Sequence, residues 1–409
     1  MTQQLRAGNV PVLLSHEPRL RTTSLCLALG FGGRHDPPGA EGTAHLFEHL
    51  VMSRPLDGGA PLCERVERAG GSVNARTGPE TLLIHAQVLA EDAPQTLEWM
   101  SRALLDFQLT QDCLDSERQV VLQEIAAAVA DPADTVQDAF LAALFAGHPL
   151  GSPVAGDPVS VGTITLDRLH RAHADAMAAS PVAVAAVGGT DPDALQRALT
   201  RTGLDTLPAP TVLGGGAGTG AAAPGPVHPT TVTAWPDDFT WLMAGGRAPS
   251  AGDPRRHAYN VLAHLLGASP ASLLYARLRN KEALAYDFRS WARNYSDAGA
   301  WRMLAGTEPG NAPRLLDAFQ EILHTVAAEG PSDEALAAAV HQAVVDTVLE
   351  AEAPLDLAMS LASQRVLVEH PWDPDQDIEA LCEVTAQQVT TAAAELADGL
   401  VCVVRPQAA

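Results

Sequence analysis

The segment HLFEHLVM, running from His45 to Met52, carries two histidines four residues apart with a glutamate directly before the second. On a helix, residues i and i+4 share a face, so the imidazoles of His45 and His49 can converge on one ion. Zinc accepts neutral imidazole nitrogens and carboxylate oxygens, and a catalytic site keeps one coordination position open for water. Glu48, three residues after His45, sits beside that face, where a carboxylate can take the proton of a water that attacks a carbonyl. The order H-x-x-E-H is the inverse of the thermolysin-like H-E-x-x-H arrangement. The same residues also fit an ordinary amphipathic helix with two idle histidines, and a metal site requires a third protein ligand.

Downstream, DSERQVVLQEIAAAV offers Glu117 and Glu124 in a strongly helical stretch. Seven residues make about two turns, so both carboxylates lie on one side. One can bind a metal while the other holds a ligating imidazole through its second nitrogen. The alternative is a pair of solvated glutamates on a long helix.

The elements that must position these residues recur. The first half of the chain reads as strand (22–33), helix (42–52), helix (61–70), strand (80–88) and helix (93–107). The second half repeats the order as strand (230–235), helix (255–267), helix (271–283), strand (299–307) and helix (312–326). An offset of 215 places HLFEH over NVLAH, so His45 faces Asn260, Glu48 faces Ala263 and His49 faces His264. The halves are expected to share a fold, with the polar constellation kept only in the first. Between them, residues 207–229 are rich in Gly, Pro and Ala and bury no face, which predicts a linker. The expected boundaries are therefore a domain over 1–206, a linker over 207–229 and a domain over 230–409.

Composition narrows the function classes. At 409 residues, 46% hydrophobic and 18% charged, the chain fits two globular domains. Its net charge of -23 argues against nucleic acid and against an anionic membrane surface. Five scattered cysteines without CxxC spacing suit reduced thiols and a cytoplasmic protein. No signal peptide is expected from MTQQLRAGNVPVLLSHEP, and no run approaches the roughly 18 apolar residues of a spanning helix.

Taken together, GGRHDPPGAEGTAHLFEHLVM (32–52) and ERQVVLQE (117–124), the latter ending 75 residues after His49, resemble the pitrilysin/insulinase family of zinc peptidases. The likeness is to its short two-domain members, similar to the mitochondrial processing peptidase, and it spans nearly the whole chain. It implies an α+β fold of two homologous domains, each an antiparallel-rich sheet packed with helices. It also implies Zn2+ held by His45, His49 and Glu124, with Glu48 as general base and Glu117 as the supporting carboxylate. GGSVNART (70–77) resembles the family's edge strand, whose backbone pairs with an extended peptide, so Asn74, Ala75, Arg76 and Thr77 are expected to bind substrate. Arg76 departs from the aromatic or apolar residue usual there. LRNKEALAYDF (278–288) is similar to the segment that supplies an Arg–Tyr pair to substrate carbonyls, which implies Arg279 and Tyr286. The family's glycine in that segment is Ala283 here. Met52, one turn past His49, lines the pocket after the scissile bond in one reading and fills core in the other.

The resulting expectation is a zinc-dependent endopeptidase acting on peptides or unfolded segments in a dimeric chamber. Because the chain holds both the HxxEH motif and the Arg–Tyr pair, a homodimer is expected. Two alternatives stand beside it: the active subunit of a heteromeric processing peptidase, as in leader-peptide removal, and a non-catalytic assembly subunit.

Overall fold

The computed structural model describes residues 2–211, 239–267, 269–368 and 372–405. Residues 212–229 of the expected linker and the expected strand over 230–235 lie outside the described residues.

The first half contributes strands β1 (Gln3–Ala7), β2 (Val10–His16), β3 (Thr22–Leu29), β4 (Pro55–Leu56), β5 (Gly59–Pro61), β6 (Ser72–Thr77), β7 (Leu82–Leu89) and β8 (Val182–Gly188). Its helices are α1 (Thr43–Ser53), α2 (Leu62–Arg68), α3 (Ala93–Leu105), α4 (Gln111–Ala130), α5 (Pro132–Leu144), α6 (Pro158–Thr163), α7 (Leu166–Ala179) and α8 (Pro192–Leu199). The second half adds β9 (Thr240–Ala248), β10 (Phe288–Asn294), β11 (Gly299–Thr307) and β12 (Val401–Arg405). Its helices are α9 (Arg256–Leu266), α10 (Ala312–Glu329), α11 (Asp333–Glu352), α12 (Pro354–Leu367), α13 (Pro374–Cys382) and α14 (Ala386–Asp398).

The larger sheet runs β1-β2-β8-β3-β7-β6 and the second runs β10-β11-β9-β12, while β4 and β5 form a separate hairpin. Among the described residues only the β2–β8 pairing is parallel. The α+β architecture with antiparallel-rich sheets is thus the one the sequence implies.

Side-chain alternation explains how the larger sheet is covered. Leu25, Leu27 and Leu29 of β3 pack into a core with Leu46, Phe47 and Leu50 of α1 and Leu97 and Met100 of α3. Cys26 and Ala28 point the other way, against Ala358, Leu361, Ala362 and Val366 of α12. Every residue of β8, VAVAAVG, is buried, as expected of a central strand sandwiched on both faces.

The helix on that second face comes from the far end of the chain. The reverse holds for the smaller sheet, where Val136, Phe140 and Leu144 of α5 pack with Met243, Leu304 and Val401. The chain accordingly forms two compact units, neither contiguous: Met1–Ile125, Ser152–Ala221 and Glu350–Trp372 in one, Ala126–Gly151, Ala222–Leu349 and Asp373–Ala409 in the other.

One element departs from expectation. Residues 271–283 read as an ordinary helix, but Tyr275–Lys281 is a π-helix, and the Glu282 N–H donates to the Arg277 carbonyl five residues back. Ala283 follows with φ +50°, the left-handed conformation that commonly terminates helices. Among the described residues no helix is long and apolar enough to cross a membrane.

Candidate metal centre

Helix α1 is seated by its apolar side. Leu46, Phe47, Leu50 and Val51 are buried in the first unit's core, each contributing about 1.5–3 kcal/mol relative to exposure. His45, Glu48, His49 and Met52 follow the i, i+3, i+4, i+7 spacing and form the remaining, half-buried stripe. The helix begins at Gly42, whose φ of +93° is left-handed and where a Cβ would lie 2.5 Å from the Ala155 carbonyl oxygen. Glycine has no side chain to cap the helix, and Asp36 replaces it from the preceding loop. Its Oδ2 accepts the Gly42 N–H at 2.7 Å and its Oδ1 the Ala44 N–H at 2.8 Å. Burial pushes the Asp36 carboxyl up to about 8, against the downward pull of these donors and with a further push from Glu41. The loop itself is pinned by the Arg34–Glu80 ion pair at 2.7 Å, both side chains being buried. Asp36 did not stand out in the sequence, where its signal is only an acidic residue upstream of a helix with a glycine cap.

Helix α4 buries Leu114, Val121 and Ile125, and its Glu117 and Glu124 reach the histidines of α1. His49 Nδ1 lies 3.2 Å from Glu117 Oε2. With the Glu117 oxygen as acceptor the ring proton resides on Nδ1, and Nε2 faces Glu124 Oε2, 3.3 Å away. His45 Nε2 is 3.7 Å from that same oxygen. One atom from each of His45, His49 and Glu124 falls within 4.8 Å of the others. Glu117 is 17% exposed and Glu124 49%, so the former is enclosed beside the imidazole while the latter opens to solvent. Burial lowers the His45 pKa to about 4, aided by His49 and opposed by Glu124, which leaves the imidazole neutral at physiological pH.

Two imidazoles and a carboxylate thus converge, with the ring proton of one directed away. That donor set fits a divalent cation and matches the two-histidine, one-glutamate pattern of zinc sites with an open position. Glu48 lies on the same stripe, and its Oε2 accepts the Thr77 hydroxyl at 2.5 Å.

The sheet ends at β6, which among the described residues pairs only with β7, so the outer edge of Ser72–Thr77 is open. Asn74 and Arg76 are exposed, Ala75 is buried and Thr77 half-buried. Asn74 Oδ1 accepts the Ala75 N–H at 2.8 Å. Arg279 and Tyr286 belong to the second unit. The Arg279 guanidinium sits over the Tyr275 ring at 4.9 Å and the Tyr286 ring at 5.8 Å, and it donates to the Tyr275 hydroxyl at 2.5 Å. Tyr286 is 78% exposed. Tyr275, absent from the sequence analysis, joins this pair from four residues before Arg279, the spacing that puts two side chains on one side of a helix.

Residues 11–158 match the family model described as "Insulinase (Peptidase family M16)", and residues 163–343 match the "Peptidase M16 inactive domain". An uncharacterised zinc protease of Mycobacterium leprae is 30% identical over 332 residues, covering 79% of this chain and 73% of the relative. An uncharacterised zinc protease of Streptomyces coelicolor is 27% identical over 395 residues, covering 95% of this chain and 85% of the relative. The crystal structure of a "peptidase M16 inactive domain" from Pseudomonas fluorescens superposes with a TM-score of 0.86 at 19% identity, over 98% of this chain and 97% of that one. The chain belongs to the insulinase family of peptidases.

Proposed function

We propose that the protein is a zinc-dependent endopeptidase. The observation that carries this reading is the convergence of His45, His49 and Glu124 beside a carboxylate, Glu48, on the same helical stripe. His45, His49 and Glu124 would hold the ion, which supplies Lewis acidity and lowers the pKa of water. Glu48 takes the proton from the attacking water and returns it to the leaving amine. Glu117 keeps the His49 proton on Nδ1 and so keeps Nε2 available.

The open edge of β6 receives an extended peptide by main-chain pairing, flanked by Asn74, Ala75, Arg76 and Thr77. Arg279 and Tyr286 are donors to a substrate carbonyl oxygen. In this reading residues 1–206 carry the catalytic half, 207–229 join the halves, and 230–409 carry the Arg–Tyr pair. The working form is a cytoplasmic homodimer enclosing a chamber, and a net charge of -23 favours basic peptides. All five cysteines are free thiols, in keeping with a reducing compartment.

The test is metal content together with cleavage of a mixed quenched-peptide library, comparing wild type with Glu48→Gln. Stoichiometric zinc in both and cleavage by wild type alone is the expected result. Zinc in both without cleavage in either redirects the reading to a heteromeric processing peptidase or a non-catalytic subunit. No zinc, even after metal is added back, overturns it.

A further inference from the structure

We infer that Thr77, whose main chain lies on the peptide-pairing strand, is through its side chain a positioning residue for Glu48 and not a side-chain contact to substrate. The inference rests on the peptidase reading above and assigns a residue through which the base acts. Thr77 closes β6, and its backbone is paired with Leu82 of β7, so its Cα is held by the sheet. Side chains alternate along a strand, which puts Thr77 on the same face as Ala75 and opposite to Asn74 and Arg76. Ala75 is buried in the core that α1 shares, so this face looks at the helix. Accordingly the Thr77 hydroxyl lies 2.5 Å from Glu48 Oε2 and 3.4 Å from the Ala44 carbonyl oxygen.

A hydroxyl has one proton, and the shorter contact, to Glu48 Oε2, takes it. A separation of about 2.5–2.7 Å is the range of a charge-assisted O–H···O⁻ bond. Threonine is branched at Cβ and stiff in χ1, so the donor is aimed by the strand itself. Glutamate is the opposite case, with three rotatable bonds and no other hydrogen bond to Glu48 among the described residues. Thr77 removes that freedom by anchoring Oε2, and it leaves Oε1 to take the proton from water. The strand whose edge accepts the peptide thereby also sets the position of the base.

The experiment compares Thr77→Val, which keeps the branch and loses the donor, with Thr77→Ser, which keeps the donor. For Thr77→Val, kcat should fall about 10- to 100-fold, the cost of a loosely placed catalytic group, with KM and zinc stoichiometry unchanged. Thr77→Ser should recover most of the loss. Crystal structures of both variants in metal-free form supply a readout independent of activity, with the Glu48 carboxylate displaced in Thr77→Val and in place in Thr77→Ser. A Thr77→Val enzyme with normal kcat and raised KM makes Thr77 a substrate contact and overturns the inference. Equal losses in both variants reduce Thr77 to a structural residue and overturn it as well. If wild type cleaves nothing, the peptidase reading fails separately, while an undisplaced Glu48 in metal-free Thr77→Val still refutes the anchoring role.

Discussion

The two units present the same pair of helices with different chemistry. On α1 and α4 stand His45, Glu48, His49, Glu117 and Glu124; on α9 and α11 the corresponding positions hold Asn260, Ala263, His264, Ala339 and Asp346. The correspondence follows the helices themselves, since α4 and α11 are both 20 residues long and begin 222 positions apart. In the second unit one interaction survives: His264 Nε2 lies 3.7 Å from Asp346 Oδ2, against 3.3 Å for His49 Nε2 and Glu124 Oε2 in the first. An amide replaces the first imidazole, alanine replaces the base, and alanine replaces the carboxylate that fixes the second imidazole. A helix pair can therefore be kept intact by packing while the polar set is lost through a few side chains, two of which, Ala263 and Ala339, have joined the second unit's core.

The largest effect that can break this comparison concerns metal. Glu124→Ala should abolish stoichiometric zinc binding, whereas Asp346→Ala should leave one zinc per chain, both measured by elemental analysis after dialysis. Equal losses would mean that the second unit's pair also ligates.

Protonation gives the next effect. The His45 pKa is lowered to about 4 by burial, and His264 is lowered for the same reason with Asp346 opposing. With the folded value below the unfolded value of about 6.5, the unfolded chain binds more protons as pH falls. The metal-free protein should therefore lose up to about 3 kcal/mol between pH 6.5 and 4 through His45 alone. Urea unfolding of wild type against His45→Asn checks this, and an identical pH dependence in the two proteins would contradict it.

Backbone strain gives the smallest effect. The first unit enters α1 through a glycine at φ +93°, while the second leaves its π-helix through Ala283 at φ +50°. Ala283→Gly should stabilise the second unit by up to about 1 kcal/mol, because an L side chain pays for the left-handed region and glycine does not. A lowered melting temperature would show that the alanine is accommodated without strain.

Local relations made much of the site legible beforehand. The spacing of His45, Glu48 and His49 defines one helical stripe, and the spacing of Glu117 and Glu124 defines one side of another helix. Neither needs knowledge of the rest of the chain, because 3.6 residues per turn settles which side chains are neighbours. The same periodicity revealed the repeat and the loss of the polar set from its second copy. Helix type is less legible than helix face: 271–283 has helical character throughout, yet Tyr275–Lys281 winds as a π-helix while Leu274 and Leu278 are buried in the second core.

Asp36 serving as the cap of α1 and Thr77 reaching Glu48 across 29 residues were decided by tertiary structure. So was the exchange of α5 and α12, each covering a sheet built mostly from the other half of the chain. The amino-acid sequence by itself determined which residues could do chemistry and on which face of their own helix they lie. Which strand is an edge, which loop supplies a cap and which hydroxyl anchors the base depend on contacts between distant segments. Those contacts are chosen by the burial of apolar surface that no short stretch contains alone.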